Sequence, residues 1–159
     1  MDPQLQAALG RAHEVVFLCS GNMVRSAFAD LYAHHLGLPL AIRSLATTYR
    51  NDRIFPETAL ALGARGVDRA RIEGFRPTHV DDGLARVDPS AVLFGMRWHH
   101  LEPLDAERGR AFLLMQLLGR EEEIADPVLE GADFGRTFDQ VARCVEALVE
   151  HLRQPGTGR

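Results

Sequence analysis

Only two cysteines occur in the 159 residues, Cys19 and Cys144. They stand far apart with no metal-ligand spacing, which argues against a disulfide framework and fits a thiol kept for chemistry in a reducing compartment. No apolar run reaches the ~20 residues that a membrane span needs. There is no excess of positive charge: the formal net charge is −4, so a general nucleic-acid binder, which carries a basic stripe, is not expected. Arg65, Arg69, Arg71 and Arg76 are interleaved with acids and read as solvated surface. The opening stretch MDPQLQAALGRAHE is neither basic nor apolar enough for a signal peptide. Internal repeats, low-complexity tracts and linkers are missing too. These absences predict a single cytoplasmic domain over residues 1–159, with its core at about 14–152, no nucleic-acid or membrane partner, and a monomeric or weakly dimeric state. The termini, Met1–Leu9 and Gln154–Arg159, read as loosely ordered.

What is present is 46% hydrophobic, enough for a sizeable core. Short apolar runs at Val15–Leu18, Leu40–Ile42, Ala91–Phe94 and Ala111–Met115 suit strands buried on both faces. Helical spacing appears over Ala27–Leu36, with Gly37 as its stop, over Pro56–Ala64, and over Phe134–Leu152. Strands alternating with helices predict an α/β fold: a three-layer, doubly wound sheet of about four parallel strands with helices on both faces. The loop Gly119–Asp133 is long and acidic and holds Asp126-Pro127. Loops of that length in a compact domain are often functional.

The stretch EVVFLCSGNMVRSAFAD, Glu14–Asp30, carries the chemistry. Ligands in open α/β sheets bind beyond the carboxyl ends of the strands, and Cys19 ends the first strand. Cys19 to Val24 then forms the turn into a helix starting near Arg25. The backbone N–H groups of Ser20, Gly21, Asn22, Met23, Val24, Arg25 and Ser26 would face one concavity, an anion site that also stabilises a thiolate. The planar fork of Arg25 matches two phosphate oxygens. Gly21 permits positive φ, and Asn22 is the residue type that tolerates a left-handed conformation. Ser26 can offer its hydroxyl to the sulfur. These are the parts of a phosphate-transfer nucleophile.

VVFLCSGNMVRS resembles the low-molecular-weight protein tyrosine phosphatases, whose motif is a strand followed by C-x-G-N-x-C-R-S-P near the N-terminus. In other cysteine phosphatases the cysteine lies late and the general acid precedes it. Here Asp126-Pro127 follows the cysteine by 107 residues, like this family's general-acid loop. IRSLATT, ALGARGVD, VLFGM and IADPVLEGADFGRTFDQV resemble further family segments, so the likeness covers roughly Glu14 to Leu152. The resemblance implies Cys19 as nucleophile, Arg25 as phosphate binder and Asp126 as acid and then base. It implies a phosphocysteine intermediate on a phosphorylated protein or peptide substrate, with no metal and no cofactor. The pairs His34-His35 and His99-His100 lack carboxylates at ligand spacing, which also speaks against metal.

The chain departs from the family pattern at several positions. Val24 stands where many members carry a second cysteine, and Ala27 replaces the usual proline. Val128 replaces an aromatic wall of the phosphotyrosine slot, for which Tyr49 or Phe134 are the substitutes; Met23 completes the specificity set. SLATT lacks a glycine, and Glu73 stands where a loop-bracing histidine is expected, leaving Ser44 to reach the loop through Asn22. Long, apolar Met23 favours an aryl phosphate over phosphoarginine, the substrate of some members. Arsenate reduction needs further cysteines, and only Cys144 remains, inside the last helix. The alternatives are a protein-arginine phosphatase and a non-catalytic phosphate-binding module.

Overall fold

A computed structural model of the chain describes residues 1–155, the side chains of residues 105–108 excepted. Its centre is a sheet of four parallel strands, β1 (Glu14–Cys19), β2 (Ala41–Ala46), β3 (Val92–Gly95) and β4 (Ala111–Leu113), in the order β2-β1-β3-β4. The expected architecture is the one found. β1 lies in the middle because every one of its residues is buried. Alternation along it feeds two cores: Val15 and Phe17 face one layer, Val16 and Leu18 the other.

The first layer is built by α1 (Pro3–Arg11), α2 (Arg25–His35), α3 (Pro56–Ala64), α4 (Arg69–Gly74) and α6 (Phe134–Arg153). Phe28 of α2 stacks on Phe138 of α6 at 4.9 Å, and each such fully buried ring is worth about 2–3 kcal/mol of transfer free energy. The second layer is thinner. It holds α5 (Val80–Gly83) and the 3₁₀ turns that supply Leu84, Leu101 and Leu104. Among the described residues, no helix is long and apolar enough to cross a membrane.

Three expectations need correction. The N-terminus is not loose: Asp2 caps α1 by accepting from the Gln4 and Leu5 N–H groups, and Leu5 and Leu9 are completely buried. The core therefore starts ahead of residue 14. β2 runs on through Arg43 and Ser44, whose polarity hid the strand; Arg43 lies 3.5 Å from Glu14 and Ser44 bonds Asp30. β4 stops at Leu113, not Met115, because the Gln116 side chain takes the Leu113 N–H at 2.8 Å and turns the chain into a 3₁₀ segment, Leu114–Leu118. The expected C-terminal tail, 154–159, falls mostly outside the described residues.

Candidate active site

The order β2-β1-β3 makes the carboxyl end of β1 the point where chain connections diverge, and Cys19 sits there. The loop after it is held from outside. The carbonyl of Cys19 accepts from Thr47 N–H at 2.9 Å, and that of Ser20 from the Thr48 and Tyr49 N–H groups. The Met23 carbonyl accepts from Phe55 N–H and from the Thr58 hydroxyl. Asn22 takes the left-handed conformation, with φ +53°. Gly21 does not, contrary to expectation. A Cβ there would lie 2.7 Å from the end of the Asn51 side chain, which bonds the Gly21 carbonyl and would have to shift.

Fully buried Asn22 orients the Ser26 hydroxyl beside Cys19. Its Oδ1 accepts from Thr78 N–H at 2.9 Å, so its Nδ2 donates to Ser26 Oγ at 2.8 Å. The Ser26 proton is then free for Cys19 Sγ, 2.9 Å away. A hydroxyl donor at that distance can stabilise a thiolate.

Arg25, only 2% exposed, opens α2 and reaches across to the acidic loop. Its Nη1 donates to the Ile124 carbonyl at 2.8 Å, and its Nη2 lies 3.4 Å from Asp126 Oδ2. Ile124 is itself sewn to the end of β3, its N–H donating to the Met96 carbonyl at 2.8 Å. The two oxygens of Asp126 have separate tasks. Oδ1 accepts from the Val128 and Leu129 N–H groups and closes the turn, while Oδ2 is left toward Arg25.

Cys19, Arg25 and Asp126 line one pocket of about 310 Å³. Met23, Tyr49, Val128 and Leu129 supply its apolar walls, and Arg50 and Asn51 its rim. Tyr49 is 50% exposed and Leu129 63%, a wet-edged slot fit for a flat, apolar group. Phe134 is not part of it. It stacks on Phe55 at 5.7 Å and leans on Phe138, because its place at the start of α6 turns it toward the first core. Leu129, Arg50 and Asn51 were missed by sequence reading; their only signal was adjacency to Val128 and Tyr49.

The bracing around the loop also differs from expectation. Ser44 donates to Asp30, not to Asn22, and Glu73 pairs with Arg69 at the surface. Asn22 is held by the Thr78 backbone instead. The bracing histidine is His100, fully buried, with Nε2 3.0 Å from Ser20 Oγ. Its Nδ1 accepts from Arg97 N–H at 3.0 Å, so the ring proton sits on Nε2 and is donated to Ser20. Burial, with the nearby charges of Arg25, His99 and Arg97, pushes its pKa down to about 2, keeping the ring neutral. GMRWHH follows β3 directly, and that rim position was the available signal. Elsewhere, His34 lies 3.4 Å from Asp30, and His35 stacks on Tyr32. Cys144 is buried in α6, its pKa pushed up to about 12 by desolvation.

No family model matches the chain, and no curated protein matches it in sequence. Solved structures do match. The YwlE arginine phosphatase from Geobacillus stearothermophilus is 19% identical, with a TM-score of 0.71 over 89% of this chain and 94% of that one. The tyrosine phosphatase Wzb from Escherichia coli K30, in complex with sulphate, is 21% identical, with a TM-score of 0.71 over 87% and 96%. A low-molecular-weight protein tyrosine phosphatase from T. tengcongensis is 20% identical, with a TM-score of 0.69 over 87% and 99%. The fold of this chain is that of the low-molecular-weight protein tyrosine phosphatases.

Proposed function

We propose that the chain is a cysteine-dependent phosphatase of the low-molecular-weight type, hydrolysing phosphotyrosine in proteins and aryl phosphates through a phosphocysteine. One observation carries this reading: the sulfur of Cys19, 2.9 Å from the Ser26 hydroxyl, shares a pocket with Arg25 and Asp126. A phosphate-binding module needs no acid opposite the thiol.

In the first step the Cys19 thiolate attacks phosphorus in line, forming the S–P bond as the ester P–O bond breaks. Arg25 and the backbone N–H groups of Ser20 to Ser26 hold the equatorial oxygens. Asp126, protonated at Oδ2, gives its proton to the leaving aryl oxygen. In the second step Asp126, now a carboxylate, takes a proton from water. That water's oxygen attacks phosphorus, the S–P bond breaks, and the thiolate returns to the Ser26 hydroxyl. Inorganic phosphate leaves and Asp126 is protonated again. Charge stabilisation comes from Arg25 and the loop.

The slot favours an aryl ester. Met23, Val128 and Leu129 are apolar, and Tyr49 offers a ring to stack against. Apart from Asp126, the pocket lining holds no carboxylate for a guanidinium, and Asp126 already faces Arg25. The substrate is therefore phosphotyrosine rather than phosphoarginine, and we place the reaction in a reducing cytoplasm. Phosphate release from matched phosphotyrosine and phosphoarginine peptides tests this, with Cys19→Ser as the blank. Release mainly from phosphotyrosine is expected. Release mainly from phosphoarginine keeps the mechanism and overturns the specificity; release from neither overturns the enzyme reading.

A further inference from the structure

Asp126 is held from behind as well as from its own turn. Its backbone N–H donates to Glu130 Oε2 at 2.6 Å. The same oxygen takes the Arg97 guanidinium at 2.7 Å, and Oε1 of Glu130 lies against the same Nη2. The backbone N–H of Arg97 donates in turn to His100 Nδ1, and His100 Nε2 donates to Ser20, the residue after the nucleophile. An unbroken chain of contacts thus runs from the phosphate loop to the acid: Ser20, His100, Arg97, Glu130, Asp126. Its second member, His100, is a neutral, fully buried ring whose Nδ1 accepts from Arg97, so the direction of donation is fixed at that point. Glu130 and Arg97 also line a second hollow of about 320 Å³ that shares Ser20, Arg25, Tyr49 and Asp126 with the catalytic pocket. The two ends of the link, Ser20 and Asp126, thus line both hollows, while Arg97 and Glu130 line only the second.

We infer that Glu130, clamped by Arg97, is a positioning residue for the acid. It references Oδ2 of Asp126 to the phosphate loop, so that the proton meets the leaving oxygen rather than solvent. The inference rests on the phosphatase reading. Neither Glu130 nor Arg97 lies at the thiol, and the effect should appear only where proton donation limits the rate.

The test compares phenyl phosphate, whose leaving group needs a proton, with dinitrophenyl phosphate, whose leaving group does not. Glu130→Ala and Arg97→Met should each lower kcat/KM, which reports only the phosphorylation step, about tenfold or more on phenyl phosphate, as expected for a reacting group displaced by a fraction of an ångström. On dinitrophenyl phosphate the loss should stay within about twofold, since general-acid help is not needed there. In an Asp126→Asn background, Glu130→Ala should cost nothing further on either ester. Equal losses on both esters, or a loss that persists without the Asp126 carboxyl, would mean a general loosening of the loop and overturn the inference. If the unaltered chain releases no phosphate from the dinitrophenyl ester, the phosphatase reading itself fails. The link is then read by amide hydrogen exchange: Glu130→Ala should speed exchange at the Asp126 N–H while leaving that of Thr78, which donates to Asn22, protected. An unchanged Asp126 amide would overturn it without any turnover.

Discussion

The Ser26 hydroxyl lies 2.9 Å from Cys19 Sγ, and with Asn22 Nδ2 donating to its oxygen at 2.8 Å its own proton is free to point at the sulfur. Hydrogen bonds to a charged partner are worth about 1.5–3 kcal/mol, roughly tenfold or more in rate. Ser26→Ala should therefore slow breakdown of the phosphocysteine by at least about tenfold, since the thiolate must leave unaided. A rapid-quench burst of phenolate followed by a slower steady state is the expected signature. An unchanged steady-state rate would contradict this role.

Asp126→Asn removes the proton but leaves a group able to close the turn with Val128 and Leu129. The loss of kcat/KM, which reports the phosphorylation step alone, should be about 10²–10⁴-fold on phenyl phosphate and much smaller on dinitrophenyl phosphate. A leaving-group series measures the slope. Parallel losses across the series would show that Asp126 is only a turn residue.

Tyr49 is the aromatic wall that the pocket offers. Tyr49→Ala should raise KM for aryl phosphates roughly three- to tenfold, in line with the worth of one ring contact, with inhibition by inorganic phosphate unchanged. If phosphate inhibition weakens in step, Tyr49 is supporting the loop rather than the substrate ring.

Oxidation should be hard to reverse. Val24 offers no thiol beside Cys19, and Cys144 is buried in α6 with its thiol kept protonated. Peroxide should drive Cys19 past the sulfenic acid to the sulfinic acid, seen by mass spectrometry, with activity that dithiothreitol does not restore. Full recovery would reveal a protecting group that this reading omits.

His100 gives a pH signature. Its pKa is held at about 2 in the fold against 6.5 in the unfolded chain, so folding excludes a proton there. The stability from keeping it neutral is complete above pH 6.5 and is lost as pH falls below that toward about 2. Between neutrality and pH 5 the loss is about 2 kcal/mol, from the unfolded ring taking up its proton. Urea unfolding at both pH values should show His100→Gln, which keeps a donor and an acceptor, with a flatter pH dependence than the unaltered chain. Parallel slopes would mean that the buried ring does not stay neutral.

The sequence was most readable where one physical demand dominates. Val15–Leu18 had to be a buried strand, and Gly-Asn after Cys19 had to turn the chain into the helix that Arg25 opens. The left-handed Asn22 follows from that, whereas the meeting of Asp126 with Arg25 at one pocket was legible only through the resemblance to the family's Asp-Pro loop. What failed depended on three-dimensional neighbours. Gly21 takes the Asn51 side chain against its carbonyl without a positive φ, which no local pattern records. Phe134 faces the core because of where α6 starts its turn. His100 read only as half of a pair unsuited to metal, yet the turn after β3 brings it against Ser20. Leu5 and Leu9 carried a readable helical spacing and an Asp-Pro start, and that signal was overlooked.

The central claim is that Cys19 becomes phosphorylated during turnover. Mixing the chain with dinitrophenyl phosphate, quenching in acid and mapping peptides by mass spectrometry reads it directly. One phosphoryl group on the Cys19 peptide, accumulating further in Asp126→Asn when a good leaving group is used and absent in Cys19→Ala, is the expected result. Phosphate release at full rate with no label on Cys19, or release that survives Cys19→Ala, would contradict the account.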